Sequence, residues 1–365
     1  MMKKINVAQP SLAPLEEFIP FLEKIWDSKC LTNGGPFHNQ LEEELCKYLG
    51  VNYISLFSSG TMALMTALKA LNLSGEVITT PYSFIATSSS LSWIGINPVY
   101  VDINPSTFNI DPKKIEQAIT PATTAILAVH CYGNPCEIEE IESIAHKNNL
   151  KVIYDAAHAF GINYQGQSLL NYGDLSVLSF HATKVFNTFE GGAIISKTSE
   201  EKLKIDRMKN FGYVDETTIE SVGVNGKMAE INAAFGLLQL KYIDKWILDR
   251  KRIHDHYMTN IEGIMGISFL EKNEFSSQNY NYFPILVNDT YPLTRDELYE
   301  KLRINGFNAR RYFYPLITDY PGYRSQCNKT LEIATQAVKK ILCLPIYSAL
   351  EFDQVDSIIK VISGK

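Results

Sequence analysis

Between residues 51 and 195 short β-branched runs alternate with stretches of helical spacing, a pattern that predicts parallel strands joined by crossover helices and covered on both faces. The predicted strands are YISLF (53–57), EVITT (76–80), PVYVDI (98–103), TTAILAVH (123–130), KVIYD (151–155), LSVLSF (175–180) and GAIIS (192–196). In TMALMTALKAL (61–71), Leu64, Ala67, Leu68 and Leu71 fall on one helical face, with Gly60 and Thr61 at its start. A longer helical pattern over 230–252 predicts one helix that leads into a second domain. Beyond it, strands near 282–287 and 341–346 mix with amphipathic helices over 294–305 and 352–362, the pattern of a small α+β unit. With 365 residues the chain exceeds one usual core. The expected fold is therefore α/β: a large domain over 1–245 with a mostly parallel sheet, and a smaller α+β domain over 246–365.

Composition narrows the function classes. Hydrophobic residues at 45% and charged residues at 20% fit a soluble globular protein. A net charge of −6 leaves no basic surplus for a phosphate backbone, so nucleic acid is not an expected partner. The start, MMKKINVAQP, has no apolar segment after its lysines and does not read as a signal peptide; no run reaches membrane-span length. Six cysteines, Cys30, Cys46, Cys131, Cys136, Cys327 and Cys343, are scattered rather than arranged as a disulfide framework. The expected compartment is a reducing cytoplasm.

The chemistry gathers at strand ends, where open α/β sheets bind their ligands. LSVLSF delivers Lys184, in SFHATKVFNTFEGGA, into a glycine-rich turn, where a lysine is poorly placed as a solubilising charge and well placed to form an imine. KVIYD ends in Asp155, and an acid and an amine at one sheet edge suit pyridoxal 5'-phosphate. Its ring nitrogen needs a carboxylate, for which Asp155 is placed; an N-cap is the plain alternative for a lone Asp. His158, three residues on, faces the phenolic oxygen or simply packs. Ser58-Ser59-Gly60-Thr61 opens a helix straight after a strand, which suits a phosphate and equally an ordinary N-cap. Ser179 adds a phosphate donor, and Phe84, in TTPYSFIAT, covers the ring face or packs in the core. Arg310 and Arg311, in NARRYFYPL, either grip an anion or are solvated charges. His130, Cys131 and Cys136 in HCYGNPC lack a paired CxxC and a second cluster, so they read as a strand end and turn; no metal is expected. Neither a dinucleotide fingerprint nor a P-loop is present.

In this order, SSGTMAL, TTPYSFIAT, AVHCYGNPC, VIYDAAHAFG, SFHATKVFNTFEGGA and GVNGKMAEINAAFGLLQL resemble the sugar nucleotide aminotransferases of the DegT/DnrJ/StrS family, over nearly the whole chain. The resemblance implies the fold type I (aspartate aminotransferase-like) architecture and a homodimer with active sites shared between subunits. It implies Lys184 as the lysine bonded to the cofactor, Asp155 at the pyridine nitrogen and His158 near the phenolic oxygen. Gly60, Thr61 and Ser179 would hold the phosphate, and Phe84 would stack on the ring. Asn225, in GVNGKM, would reach the phosphate of the neighbouring subunit, although Gly226 and Lys227 stand where the family usually has an aromatic residue and an arginine. Tyr314 precedes Pro315 where many members carry a histidine, so Arg310 and Tyr314 are substrate-side candidates whose contacts are not carried over. LTNGGPFHNQLEEELCKYLGV and the FHATKVFNTFEGGA form are most similar to members that aminate C4 of a dTDP-linked 4-keto-6-deoxy sugar, with L-glutamate as donor and pyridoxamine 5'-phosphate as intermediate, for surface polysaccharide or O-antigen biosynthesis. Amination at C3, or a UDP- or GDP-linked sugar, is the alternative within the family. A dehydratase on this scaffold would carry histidine at position 184, and a non-catalytic regulator is the alternative of another class.

Overall fold

A computed structural model of the protein describes residues 4–323 and 330–364; Cys327 lies outside them. In chain order the strands are β1 (Ile5–Asn6), β2 (Tyr53–Phe57), β3 (Glu76–Thr79), β4 (Asn97–Tyr100), β5 (Thr123–Val129), β6 (Lys151–Asp155), β7 (Asn163–Tyr164), β8 (Gln167–Ser168), β9 (Leu175–Ser179), β10 (Gly192–Ser196), β11 (Ile267–Ser268), β12 (Phe283–Val287), β13 (Phe307–Asn308) and β14 (Ile341–Leu344).

The main sheet has seven strands in the order β2-β10-β9-β6-β5-β3-β4. Only β10 runs antiparallel to its neighbours; the rest of the sheet is parallel. Alternate residues of one strand enter opposite cores, as a pleated strand buried on both faces requires. Along β5, Ala125 and Leu127 pack on the side of helix Gly60–Ala70, whereas Ile126 and Ala128 pack on the opposite side. That opposite side also takes Leu41 and Leu45 of helix Pro36–Leu49 and Leu238 of helix Glu230–Leu240. All seven strands predicted here form, within a residue or two at their ends, except that PVYVDI stops as strand at Tyr100. Asp102 instead accepts the backbone N–H groups of Ile333 and Ala334, each at 2.8 Å, satisfying the open start of helix Glu332–Lys340.

The single helix expected over 230–252 is two, Glu230–Leu240 and Ile243–Ile261, separated at Lys241 and Tyr242. Packing decides this: Leu238 and Ile243 both enter the first core, and the second helix then carries Ile253, Tyr257 and Ile261 into another. That second core lies on the antiparallel sheet β11-β12-β14, closed by helices Arg295–Ile304 and Phe352–Ser363. Thr294 begins the first of these with a reciprocal Thr294–Glu297 capping box. Ile5 belongs to the second core, and β1 pairs in parallel with β13. Among the described residues no helix is long and apolar enough to cross a membrane.

Candidate active site

The carboxyl ends of the parallel strands meet around one cavity of about 350 Å³. Strand β6 ends there with Asp155 and β9 with Ser179, while the turn after β3 brings Phe84 and the helix after β2 brings Gly60 and Thr61. At that helix start Ser59 is the N-cap, its Oγ accepting the Met62 N–H at 3.2 Å. Two glycines let the elements close up. A Cβ on Gly192 would lie 2.6 Å from the Gly60 nitrogen, and a Cβ on Gly60 would lie 3.0 Å from Ser179 Cβ. Strand β10 and the end of β9 therefore pack flush beneath a helix N-terminus whose first N–H groups have no helical partner.

Asp155 is buried, which raises its pKa overall, and two hydrogen bonds offset part of that cost to the charged carboxylate. Thr87 Oγ1 donates to its Oδ2 at 2.7 Å, and the Ala157 N–H donates to its Oδ1 at 3.2 Å. Burial pushes its pKa up, while these two bonds and the charge on Lys184 pull it back. Burial brings the Lys184 amine down to about 8, with the Asp155 carboxylate opposing the shift. The amine is thus partly in its free-base form near neutral pH, unlike a surface lysine at about 10.4. His158 is also buried, which drives its pKa well below the ordinary value, with Lys184 adding to the effect. The Tyr132 N–H donates to its Nδ1 at 3.1 Å, so the neutral ring carries its proton on Nε2.

The opposite wall comes from the second half of the chain. Tyr282, next to β12, and Arg310, Tyr312 and Phe313, before helix Glu332–Lys340, line the same cavity. The Phe313 ring lies 5.9 Å from His158 at 5° and 6.0 Å from Tyr132 at 9°, giving near-parallel aromatic faces. The hydroxyls of Tyr82 and Tyr132 donate to the Tyr312 carbonyl at 2.7 and 2.9 Å, tying this wall to the large sheet. Arg310 lies over the Tyr312 ring, 4.9 Å from its centroid. Of these four residues only Arg310 is legible in the sequence. The three aromatics sit in QNYNYF and RRYFYP, whose aromatic density is their only signal.

Of the site residues expected from sequence, Gly60, Thr61, Phe84, Asp155, His158, Ser179, Lys184 and Arg310 line this cavity. Phe84 is exposed there rather than packed in the core. Asn225 and Tyr314 lie elsewhere. Asn225 is exposed on a loop that bridges to Asn210, and the next carbonyl, of Gly226, accepts the Ser58 N–H at 2.8 Å, directly before the helix start. Tyr314 lies between the guanidinium groups of Arg295 and Arg311, 4.8 and 5.2 Å from its ring. Arg311 is itself held by Asp296 at 2.7 Å. In HCYGNPC, His130 follows β5 with its ring stacked on Tyr154 at 4.5 Å, and Cys131–Gly133 form a single 3-10 turn. Among the described residues no three His, Cys, Asp or Glu side chains gather as metal ligands.

Comparison with known proteins adds a sequence and a fold relationship. The model of the DegT/DnrJ/EryC1/StrS aminotransferase family matches residues 14–363. The chain is 54% identical to a dTDP-4-amino-4,6-dideoxy-D-glucose transaminase of Shigella dysenteriae, covering 99% of each chain. It is 52% identical to a transaminase of the same name from Escherichia coli, over 100% of this chain and 99% of that one. Its fold matches the crystal structure of DesI with its TDP-sugar product at a TM-score of 0.95 and 30% identity, over 100% of this chain and 93% of that one.

Proposed function

Because this chain belongs to the DegT/DnrJ/EryC1/StrS aminotransferase family, we propose that it moves an amino group from L-glutamate to C4 of dTDP-4-keto-6-deoxyglucose. The product would be dTDP-4-amino-4,6-dideoxyglucose, a precursor for surface polysaccharide, and the cofactor pyridoxal 5'-phosphate. The observation that carries the reading is the meeting of the Lys184 amine and the buried Asp155 carboxylate in one cavity at the sheet's carboxyl edge.

The donor set fits the cofactor. The glycine-lined helix start of Gly60 and Thr61, with Ser179 beside it, suits a phosphate, since any larger residue at 60 or 192 would fill the space. Asp155 suits a protonated pyridine nitrogen, His158 Nε2–H a phenolate oxygen, and the exposed Phe84 ring an aromatic face. Bound there, pyridoxal phosphate supplies an electron sink next to the carbon that loses or gains a proton. Lys184 holds and moves that proton at Nζ, for which an amine tuned close to neutral pH is matched to the task. Asp155 keeps the positive end of the site fixed, and the aromatic wall of Tyr312 and Phe313 excludes water from it.

The reading includes a homodimer in which Asn225 enters the neighbour's cavity. In support, Phe211, Ile219, Val222 and Val224 on the same loop are all exposed, an apolar patch that a second copy would cover. It also divides the chain into a cofactor-holding part, 1–245, and a part, 246–365, that completes the sugar side.

The test is a transamination assay on a panel of dTDP-, UDP- and GDP-linked 3- and 4-keto sugars, with product stereochemistry read by NMR. Turnover confined to a C3 ketone, or to a UDP- or GDP-sugar, overturns the substrate. Protein that stays colourless with added cofactor, or that borohydride does not label at Lys184, overturns the chemistry.

A further inference from the structure

Among the described residues, the Lys184 amine makes one side-chain hydrogen bond, and its partner comes from the second half of the chain. Its partner is the hydroxyl of Tyr282, at 3.4 Å. Tyr282 lies 98 residues away in sequence, beside the first residue of β12, the middle strand of the second sheet. Its ring is clamped by three others: His158 at 4.7 Å, Tyr132 at 5.4 Å and Tyr312 at 5.7 Å. A phenol gripped on three sides has little rotamer freedom left to lose, so its hydroxyl is a fixed point on the cavity wall.

We propose that Tyr282 is a positioning residue for catalysis: its hydroxyl holds the Lys184 amine in place whenever that amine is free. The inference rests on the assignment of Lys184 above and goes beyond it by giving the amine a second station. A transferring lysine spends part of each turnover unbonded, on a flexible four-carbon stem, and its proton reaches the right carbon only if the nitrogen stays within reach. A hydroxyl serves both protonation states, accepting from an ammonium and donating to a free amine.

The charges around the pair allow this. Burial raises the Tyr282 pKa well above its ordinary value, with Tyr312, Cys343 and Cys131 adding to the effect and Arg310 opposing it, so the phenol keeps its proton at working pH. Arg250, buried, with one 3.4 Å hydrogen bond to the Ile346 carbonyl, also interacts electrostatically with Tyr282. Around Lys184 stand Asp155, which favours its charge, and buried, neutral His158. Of these groups only Tyr282 bonds the amine directly.

The experiment is Tyr282→Phe, which keeps the ring and deletes the oxygen. In the holoenzyme kcat should fall at least about tenfold, with KM for both substrates and cofactor content within about twofold of wild type, and with the acidic limb of the kcat–pH profile displaced to lower pH. A second readout needs no turnover: competitive acetylation of the cofactor-free chain across pH, followed on the Lys184 peptide by mass spectrometry. Losing an acceptor for the ammonium should move the Lys184 midpoint below that of wild type. Superimposable acetylation midpoints and pH profiles overturn the proposal, as does a variant whose only defect is a lower Tm. If borohydride fails to label wild-type Lys184, the assignment of the lysine has failed instead, and the two outcomes are distinct.

Discussion

The cavity has two walls of different origin. One is made of strand ends: Asp155 closes β6, Ser179 closes β9, and Lys184 follows five residues later. There the position of each group is set by hydrogen-bonded register, with Asp155 paired to Val177 and Gly192 to Ser179. The other is made of Tyr312 and Phe313 on a loop, of Arg310, whose backbone exchanges two hydrogen bonds with Cys343 of β14 at 3.0 and 2.8 Å, and of Tyr282 beside β12 of the same smaller sheet. The difference teaches a division of labour. On the proposed function, the groups for the shared chemistry sit where the main sheet's ladder leaves little play, and the groups facing the sugar come from the smaller sheet and the loop beside it.

Breaking the strand-end wall should have the largest effects. Lys184→Ala should lower turnover by about 10⁴-fold or more, measured by the coupled assay, because among the described residues no other lysine lines the cavity. Asp155→Asn keeps the shape and should cost kcat on the order of 10²–10³-fold while cofactor absorbance shows retained binding. An equal loss of cofactor would instead make Asp155 a binding group. On the loop wall, Arg310→Ala should raise KM for the nucleotide sugar about tenfold, with the half-reaction on glutamate unchanged in stopped-flow absorbance. Should both half-reactions slow equally, the two walls would not differ as described. The smallest effect is on stability. The Lys184 pKa in the folded, cofactor-free chain is about 8, against about 10.4 when unfolded. Between these values the unfolded chain binds more protons, so stability rises with pH across that window and its penalty is fully present below pH 8. Lys184→Met should remove that rise, roughly 1–2 kcal/mol after screening, read from urea unfolding at pH 7 and pH 10.

Much of the strand-end wall was legible in the sequence for a physical reason. Strands buried on both faces read as continuous apolar runs, so Asp155 at the end of KVIYD, and Lys184 in the turn four residues beyond LSVLSF, are conspicuous. Tyr282, Tyr312 and Phe313 carried no such mark, because their neighbours in space, His158, Tyr132 and Tyr82, lie more than a hundred residues away in sequence. Helix ends are less legible. No glycine or proline flags the break at Lys241 and Tyr242, which follows from how Leu238 and Ile243 enter one core. Asp102 reads as a strand residue because its task, receiving the N–H groups of Ile333 and Ala334, is set by chain 231 and 232 residues downstream.

The grip of Tyr82 and Tyr132 on position 312 falls on a main-chain oxygen, not on a side chain. Such a fastening is indifferent to which amino acid stands there. A change at 312 therefore leaves that joint closed, while the contacts of its ring with Tyr282 and Arg310 are lost, so the fastening of the two halves and the packing inside the cavity can be altered separately.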